Sequence, residues 1–470
     1  MVPAMVRAFS FGMELGWHLP RSAGTWVAPS AGTFHGSFRR GGGEIAHHPA
    51  RRYRIPSAHS FLSWPVGPCP LRRRQPSLAG TKLERDVMNY PIFSRVALAI
   101  GAFLLTAAEL PAQPPGDAEA RWGRIAPFFS PPDEFADDFG PYRSPLKFAD
   151  GCEVTTAEQW ELRRREILAT WHEILGPWPD LITQPAVEIL ETEQRGEVTQ
   201  HKVRFAMTDR HPTTGYLLIP PGDGERPAVV VVYYEPETAI GRGGSEGRDF
   251  AIALARRGFV TLSIGIGASL YYPDRDSAQL QPLSALGYFA ANAWYVVAQR
   301  SEVDDRRIGI VGHSYGGKWA MFASCLFDKF ACAAWSDGGV VFDESRGNVN
   351  YWEPWYLGYE PGQTERRGIP GDDNPRAGAY RVLVEQGHDL HELHALMAPR
   401  PFLVSGGAED QPHRWRALNH SVAVNRLLGH EHRVAMTNRA SHGPTPESNE
   451  QMYQFFEHFL QTDPAKPEAD

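Results

Sequence analysis

Residues 308–318 read Ile308-Gly309-Ile310-Val311-Gly312-His313-Ser314-Tyr315-Gly316-Gly317-Lys318. The apolar run Ile308 to Val311 suits a short buried strand, and the amphipathic run Lys318 to Phe327 suits a helix. Between them stands G-x-S-x-G, which marks a nucleophile elbow when a strand runs in and a helix runs out. One strained serine then lifts its hydroxyl clear of the backbone. Glycines two positions either side are needed because side chains there would strike the strand or the helix. The same pattern recurs at Gly243-Gly244-Ser245-Glu246-Gly247, in a glycine- and charge-rich stretch with no strand leading in, and reads there as a loop. With 45 glycines in 470 residues, context rather than pattern makes Ser314 the candidate nucleophile.

Working outward, strands and helices alternate. Ala228 to Tyr234 is a continuous, largely β-branched run, as in a strand buried on both faces. Helices are expected around Arg248 to Arg257, Leu283 to Gln299, Arg414 to Leu428 and Glu447 to Leu460. Further strands are expected at Phe259 to Ile266, Ala331 to Trp335, Phe402 to Ser405 and His432 to Thr437. This order predicts an α/β fold: a mostly parallel central sheet with helices on both faces and its site at the C-terminal strand ends. Upstream, Thr155-Thr156-Ala157-Glu158 is a capping-box pattern opening a helix from Ala157 to Leu175, which Gly176-Pro177 stops. Three β-like runs follow, Ala186 to Glu193, Val198 to Met207 and Gly215 to Pro220. Segment 340–398 interrupts the alternation with an aromatic-rich insertion, including Tyr351-Trp352-Glu353-Pro354-Trp355-Tyr356. Such an insertion can wall a cleft, with Trp352 and Trp355 placed to stack on sugar rings, or it can simply pack on the body.

The amino-terminal region reads differently. Residues 1–87 are rich in Arg, Pro, Gly and Ser without periodicity, and suit a disordered or non-native extension. From Met88, one arginine (Arg95), the apolar run Val96 to Ala108 and Leu110-Pro111-Ala112 read as a signal peptide, residues 88–112, implying a secreted or periplasmic protein. The run is too short to span a bilayer as a helix. Pro- and Asp-rich residues 113–150 are expected to form an extended arm, residues 151–462 the folded domain, and 463–470 a disordered tail. A net charge of −8 gives no electrostatic reason for a nucleic-acid partner. Of four cysteines, Cys69 lies in the extension, and a bridge among Cys152, Cys325 and Cys332 stays open.

A serine hydroxyl needs a base, and the base an orienting carboxylate. Among 18 histidines, His442 is placed best, in Ser441-His442-Gly443-Pro444 after the last strand. Two acids compete. Asp410, reached from the strand Phe402 to Ser405, holds the usual position and is preferred, with Glu409 as a neighbour able to substitute. Asp337 ends the preceding strand. The oxyanion hole needs backbone N–H donors. Tyr315 supplies one, and the loop near Tyr234 or Glu235 the other. His388-Asp389-Leu390-His391-Glu392-Leu393-His394 lacks the H-E-x-x-H spacing of a helical metal site and reads as a histidine-rich helix. No metal or other cofactor is expected.

Several stretches resemble the carbohydrate-esterase branch of the α/β-hydrolases, especially bacterial glucuronoyl esterases and acetyl xylan esterases. They are Thr155 to Trp160 with Arg163-Arg164-Arg165-Glu166-Ile167, Asp305 to Ser314, Gly317-Lys318, and Leu393 to Pro401. The resemblance implies an α/β-hydrolase fold and a small-molecule or polysaccharide ester as substrate. It implies sugar-hydroxyl contacts for Lys318, and it keeps Asp337 in play, at the distance from Ser314 where glucuronoyl esterases carry a catalytic glutamate. One position departs: those enzymes carry arginine directly after the serine, where this chain has Tyr315, and a phenol cannot supply that charge. A general serine esterase is therefore the expectation. A prolyl-oligopeptidase-like peptidase and a non-catalytic carbohydrate-binding protein are the rival readings.

Overall fold

The computed structural model describes residues 117–461, apart from residues 245, 267–269 and 364. The expected extension, signal peptide, tail and decoy Ser245 lie outside the described residues. A nine-stranded sheet runs in the order β1-β2-β3-β5-β4-β6-β7-β8-β9. Its strands are β1 Val187–Arg195, β2 Val198–Ala206, β3 Pro212–Ile219, β4 Arg226–Val232, β5 Val260–Ile264, β6 Val303–His313, β7 Cys332–Ser336, β8 Phe402–Gly406 and β9 Val434–Asn438. The first three join antiparallel, and β5, β4, β6, β7, β8 and β9 run parallel.

β4 shows why its sequence is apolar throughout. Ala228, Val230 and Val232 enter one core, Val229 and Val231 the other. Alternate residues of a strand point to opposite faces, so a strand covered on both sides has no polar position to spare. The helices are α1 Asp117–Ile125, α2 Ala157–Leu175, α3 Pro236–Ala239, α4 Phe250–Ala255, α5 Pro282–Ala298, α6 Tyr315–Leu326, α7 Gly378–Glu385, α8 Leu390–Ala395, α9 Trp415–Leu427 and α10 Pro446–Gln461. Helices α2, α5, α6, α8 and α9 supply the first core, and α1, α4 and α10 the second. No helix among the described residues is long and apolar enough to cross a membrane.

Two expectations change, and one open question is answered. The capping box is shifted by one residue: Thr156 caps α2 by accepting from Gln159 N at 3.2 Å, and Gln159 Oε1 returns to Thr155 N at 2.7 Å. The described part of the expected extended arm holds the helix α1, whose Ile125 is fully buried. Packing rather than propensity sustains so short a helix. The arm is also pinned: Asn419 Nδ2 donates to Phe135 O and Asp138 O, each at 2.8 Å, and Arg143 binds Glu392 at 2.7 Å. Lastly, Cys325 and Cys332 are buried thiols and do not bridge.

Segment 340–398 folds onto the body. Tyr351, Trp352, Tyr356 and Tyr359 are buried, and fully buried Glu353 accepts N–H bonds from Arg367 at 2.8 Å and Gly368 at 3.1 Å. The histidine-rich helix α8 is likewise internal. His388 meets Glu392 at 2.6 Å, His391 meets Arg143 O at 2.6 Å, and His394 contacts Met321 Sδ at 3.2 Å.

Candidate active site

Four strand ends deliver the candidate residues: Ser314 follows β6, Asp337 follows β7, Glu409 and Asp410 follow β8, and His442 follows β9. Ser314 has φ 57° and ψ −112°, the strained turn of an elbow, and Asp337 is also left-handed at φ 48°. The elbow glycines are sterically required. A Cβ on Gly312 would lie 2.2 Å from Gly316 O, and one on Gly316 would lie 2.3 Å from Val232 O. Both obstacles are backbone and cannot swing aside. Gly312→Ala or Gly316→Ala is therefore expected to destabilise the fold by about 3 kcal/mol or more, read as a lowered urea midpoint. An unchanged midpoint would contradict the packing.

A continuous hydrogen-bonded chain joins three side chains. Ser314 Oγ lies 2.8 Å from His442 Nε2, and His442 Nδ1 lies 2.7 Å from Asp337 Oδ2. Neutral His442 protonated at Nδ1 donates to the carboxylate and presents Nε2 to the hydroxyl. The carboxylate at the imidazole is thus Asp337, and the sequence-based preference for Asp410 is corrected. Asp337 Oδ1 accepts N–H bonds from Gly407, Glu409 and Asp410 at 2.7, 3.0 and 2.9 Å. Burial alone would raise its pKa, but the bonds from His442 and the Asp410 N–H outweigh that and hold it below the ordinary carboxylate range.

Asp410 has a different task. Fully buried, it accepts from Gly339 N at 2.9 Å and Val340 N at 2.7 Å, fixing the turn that carries Asp337. Burial, with Asp337 nearby, pushes its pKa up. Each acid is held by N–H groups of the other's loop. Glu409 is also buried beside the site, bound by Arg346 at 3.1 Å and Asn348 at 3.2 Å. One ligand atom each from Asp337, Glu409 and His442 fall within 4.8 Å of one another. His442 Nδ1 and Asp337 are engaged with each other there, so the grouping is accounted for by the hydrogen-bonded chain.

Two residues escaped the sequence reading. Arg439 Nη1 donates to Ser405 O at 2.8 Å and Gly406 O at 3.2 Å, while Nη2 donates to His442 O at 2.8 Å and Nε to Gly443 O at 2.9 Å. It ties the histidine loop to the end of β8. Its one sequence signal was a cation three residues before the base. His313 Nδ1 meets Ser336 Oγ at 3.1 Å, and its ring lies 4.8 Å from that of His442. Burial, with the charges of His442, Arg439 and Arg248, holds its pKa well below 6.5, so it stays neutral.

On the oxyanion side, Lys318 N makes the first bond of α6, to Ser314 O at 3.1 Å. The Tyr315 N–H precedes it and has no intrahelical acceptor. β4 runs beside β6 in register, Val232 opposite Gly312, so Tyr234 and Glu235 emerge next to the elbow. The Tyr234 ring, 43 % exposed, stacks on buried Tyr315 with centroids 4.4 Å apart.

The expected sugar-binding residues are placed otherwise. Lys318 is buried, donating from Nζ to Gly338 O at 2.5 Å and Asn348 O at 3.3 Å, and lies over the Tyr351 ring at 4.9 Å. Its ammonium ties the insertion to the elbow rather than facing solvent. Trp352 is buried against Tyr380 at 6.1 Å and has no exposed ring face to offer, whereas Trp355 is half-buried. Burial lowers the Lys318 pKa from 10.5 to about 8, against the opposing pull of Asp410, Glu409 and Asp337. Between those two values the unfolded chain holds a proton that the folded chain has lost, so stability rises with pH through that window. The stability of the wild type relative to Lys318→Met is therefore expected to increase from pH 8 to pH 10 in urea unfolding. A difference that stays flat, or falls, would refute the buried ammonium.

Residues 289–463 match the prolyl oligopeptidase family. A carbohydrate esterase from an unknown prokaryotic organism is 23 % identical, over 61 % of this chain and 78 % of its own length. A glucuronoyl esterase from Solibacter usitatus superposes with a TM-score of 0.53 at 20 % identity, covering 68 % of this chain and 97 % of that one. A promiscuous CE15 esterase from a marine bacterial metagenome gives 0.54 at 18 % identity, covering 70 % and 100 %. The two structural likenesses are of the fold, a mostly parallel sheet with helices on both faces.

Proposed function

We propose that this α/β-hydrolase is a serine ester hydrolase working through an acyl-enzyme, with carbohydrate-linked acetyl or uronate esters as its substrates. The observation that carries the reading is the hydrogen-bonded chain Ser314–His442–Asp337, with 2.8 and 2.7 Å contacts. Ser314 Oγ attacks the ester carbonyl as its proton passes to His442 Nε2. Asp337 holds the imidazole in the required tautomer and steadies the imidazolium. The N–H of Tyr315, with one from the Tyr234–Glu235 loop, receives the oxyanion. His442 then protonates the leaving alcohol, and water, deprotonated by the same imidazole, releases the acid. The esterase relatives support ester chemistry. The reading of residues 88–112 as a signal peptide supports a secreted or periplasmic site of action.

The prolyl oligopeptidase match favours a peptidase as second reading. Against it, the described residues before β4 form α1, α2 and three strands that extend the same sheet, with no propeller among them. The deciding experiment offers the protein p-nitrophenyl acetate, acetylated xylan, a methyl glucuronate ester and a prolyl p-nitroanilide, together with a fluorophosphonate label. Ester turnover and labelling without anilide cleavage are expected. Anilide cleavage alone would transfer the assignment to the peptidase, and neither turnover nor labelling would remove the catalytic reading.

A further inference from the structure

His442 stands in the loop between β9 and α10, with its side chain 32 % exposed. Its bonds to Ser314 Oγ and Asp337 Oδ2 fix the two ends of the imidazole. They leave the ring free to rock about the line joining those oxygens, and rocking spoils the alignment of Nε2 with the serine proton. A contact on the face of the ring removes that freedom. His313 makes one: the two ring centroids lie 4.8 Å apart, with the planes 42° from parallel.

His313 is fully buried at the end of β6, where the sheet register pairs it with Ser336 of β7. His313 Nδ1 meets Ser336 Oγ at 3.1 Å, and that oxygen also accepts from Arg439 Nη2 at 3.3 Å. The same Nη2 donates to His442 O at 2.8 Å. The circuit is closed. It runs from the His442 backbone through Arg439 and Ser336 to His313, then across the ring contact to the His442 side chain. His313 and Ser336 directly precede Ser314 and Asp337, so the strands that deliver nucleophile and acid also deliver this second layer. Burial and the neighbouring positive charges keep His313 neutral, so it can lie against the imidazolium formed on His442 without repelling it.

We propose that His313 is a positioning residue: its ring is the floor on which the His442 imidazole rests, and Ser336 and Arg439 tie that floor to the histidine loop. Side chains that line up a proton transfer need such packing and hydrogen-bonded support from behind. The inference rests on the ester-hydrolase reading and adds to it a residue too deeply buried to touch the substrate.

Two variants separate the ring from the hydrogen bond. Asparagine can reach Ser336 Oγ with its amide but offers His442 no ring, whereas phenylalanine keeps the ring and loses the bond. Hydrolysis of p-nitrophenyl acetate is measured per active site, with sites counted by exhaustive fluorophosphonate labelling. His313→Asn is expected to lower kcat about 10- to 100-fold with KM within about 3-fold. His313→Phe should keep kcat within about 3-fold of wild type and lower the urea midpoint, because Ser336 Oγ loses a buried partner. Undiminished kcat per labelled site in His313→Asn, or a larger loss in His313→Phe than in His313→Asn, overturns the role of His313 and leaves the esterase reading intact. Should His313→Phe fail to fold, the kcat of His313→Asn decides alone. If the wild type hydrolyses no ester, both readings fall together.

Discussion

Ser314→Ala is expected to lower kcat for every ester the protein hydrolyses by roughly 10,000-fold or more, with KM within about 3-fold of wild type. The substitution removes the one atom able to form the acyl-enzyme and leaves the rest of the site in place. Ser314 N still donates to Ser336 O, at 2.8 Å in the wild type, and the elbow keeps its path because alanine bears φ 57° no worse than serine. The urea midpoint should therefore change little. Steady-state kinetics with a p-nitrophenyl ester, together with loss of fluorophosphonate labelling, provide the check. Turnover that survives the substitution would show that a group other than Ser314 attacks the ester.

The second large effect separates the two acids. Asp337→Asn is expected to cut kcat by about 1,000- to 10,000-fold, because an amide favours the wrong imidazole tautomer and cannot steady the imidazolium. Asp410→Asn, by contrast, keeps the carboxylate that faces His442. It turns one of the two acceptors serving Gly339 N and Val340 N into an NH2 group, so its main cost is stability, about 1–3 kcal/mol, with kcat down less than about 10-fold. Measuring kcat and the urea midpoint for both variants decides the matter. If Asp410→Asn loses more kcat than Asp337→Asn, the acid has been assigned to the wrong strand.

The fold was legible because its signals are local. β4 announces burial on both faces through an unbroken β-branched run, and the elbow announces itself through glycines that only a backbone collision explains. The histidine was legible from its place after the last strand. The acid was not, because both aspartates end neighbouring strands. Which one meets the imidazole depends on how the turns after β7 and β8 fold against each other, and Asp337 gains its role from a left-handed turn with φ 48° that no residue pattern announces. Lys318 and Trp352 were misjudged for a related reason. The family resemblance offered Lys318 and residue type offered Trp352 as sugar-binding, but the insertion closes over them and makes them interior. Helix α1 was hidden because its nine residues sit within a stretch whose prolines and aspartates read as an extended arm.

The exchange of N–H bonds between the loops of Asp337 and Asp410 has a genetic consequence. Removing either carboxylate frees the turn that held the other, so the second loss acts on a structure already loosened. The two positions are epistatic: the double asparagine variant should fall short of the summed stability losses of the single variants, by about 0.5–3 kcal/mol for groups in direct contact.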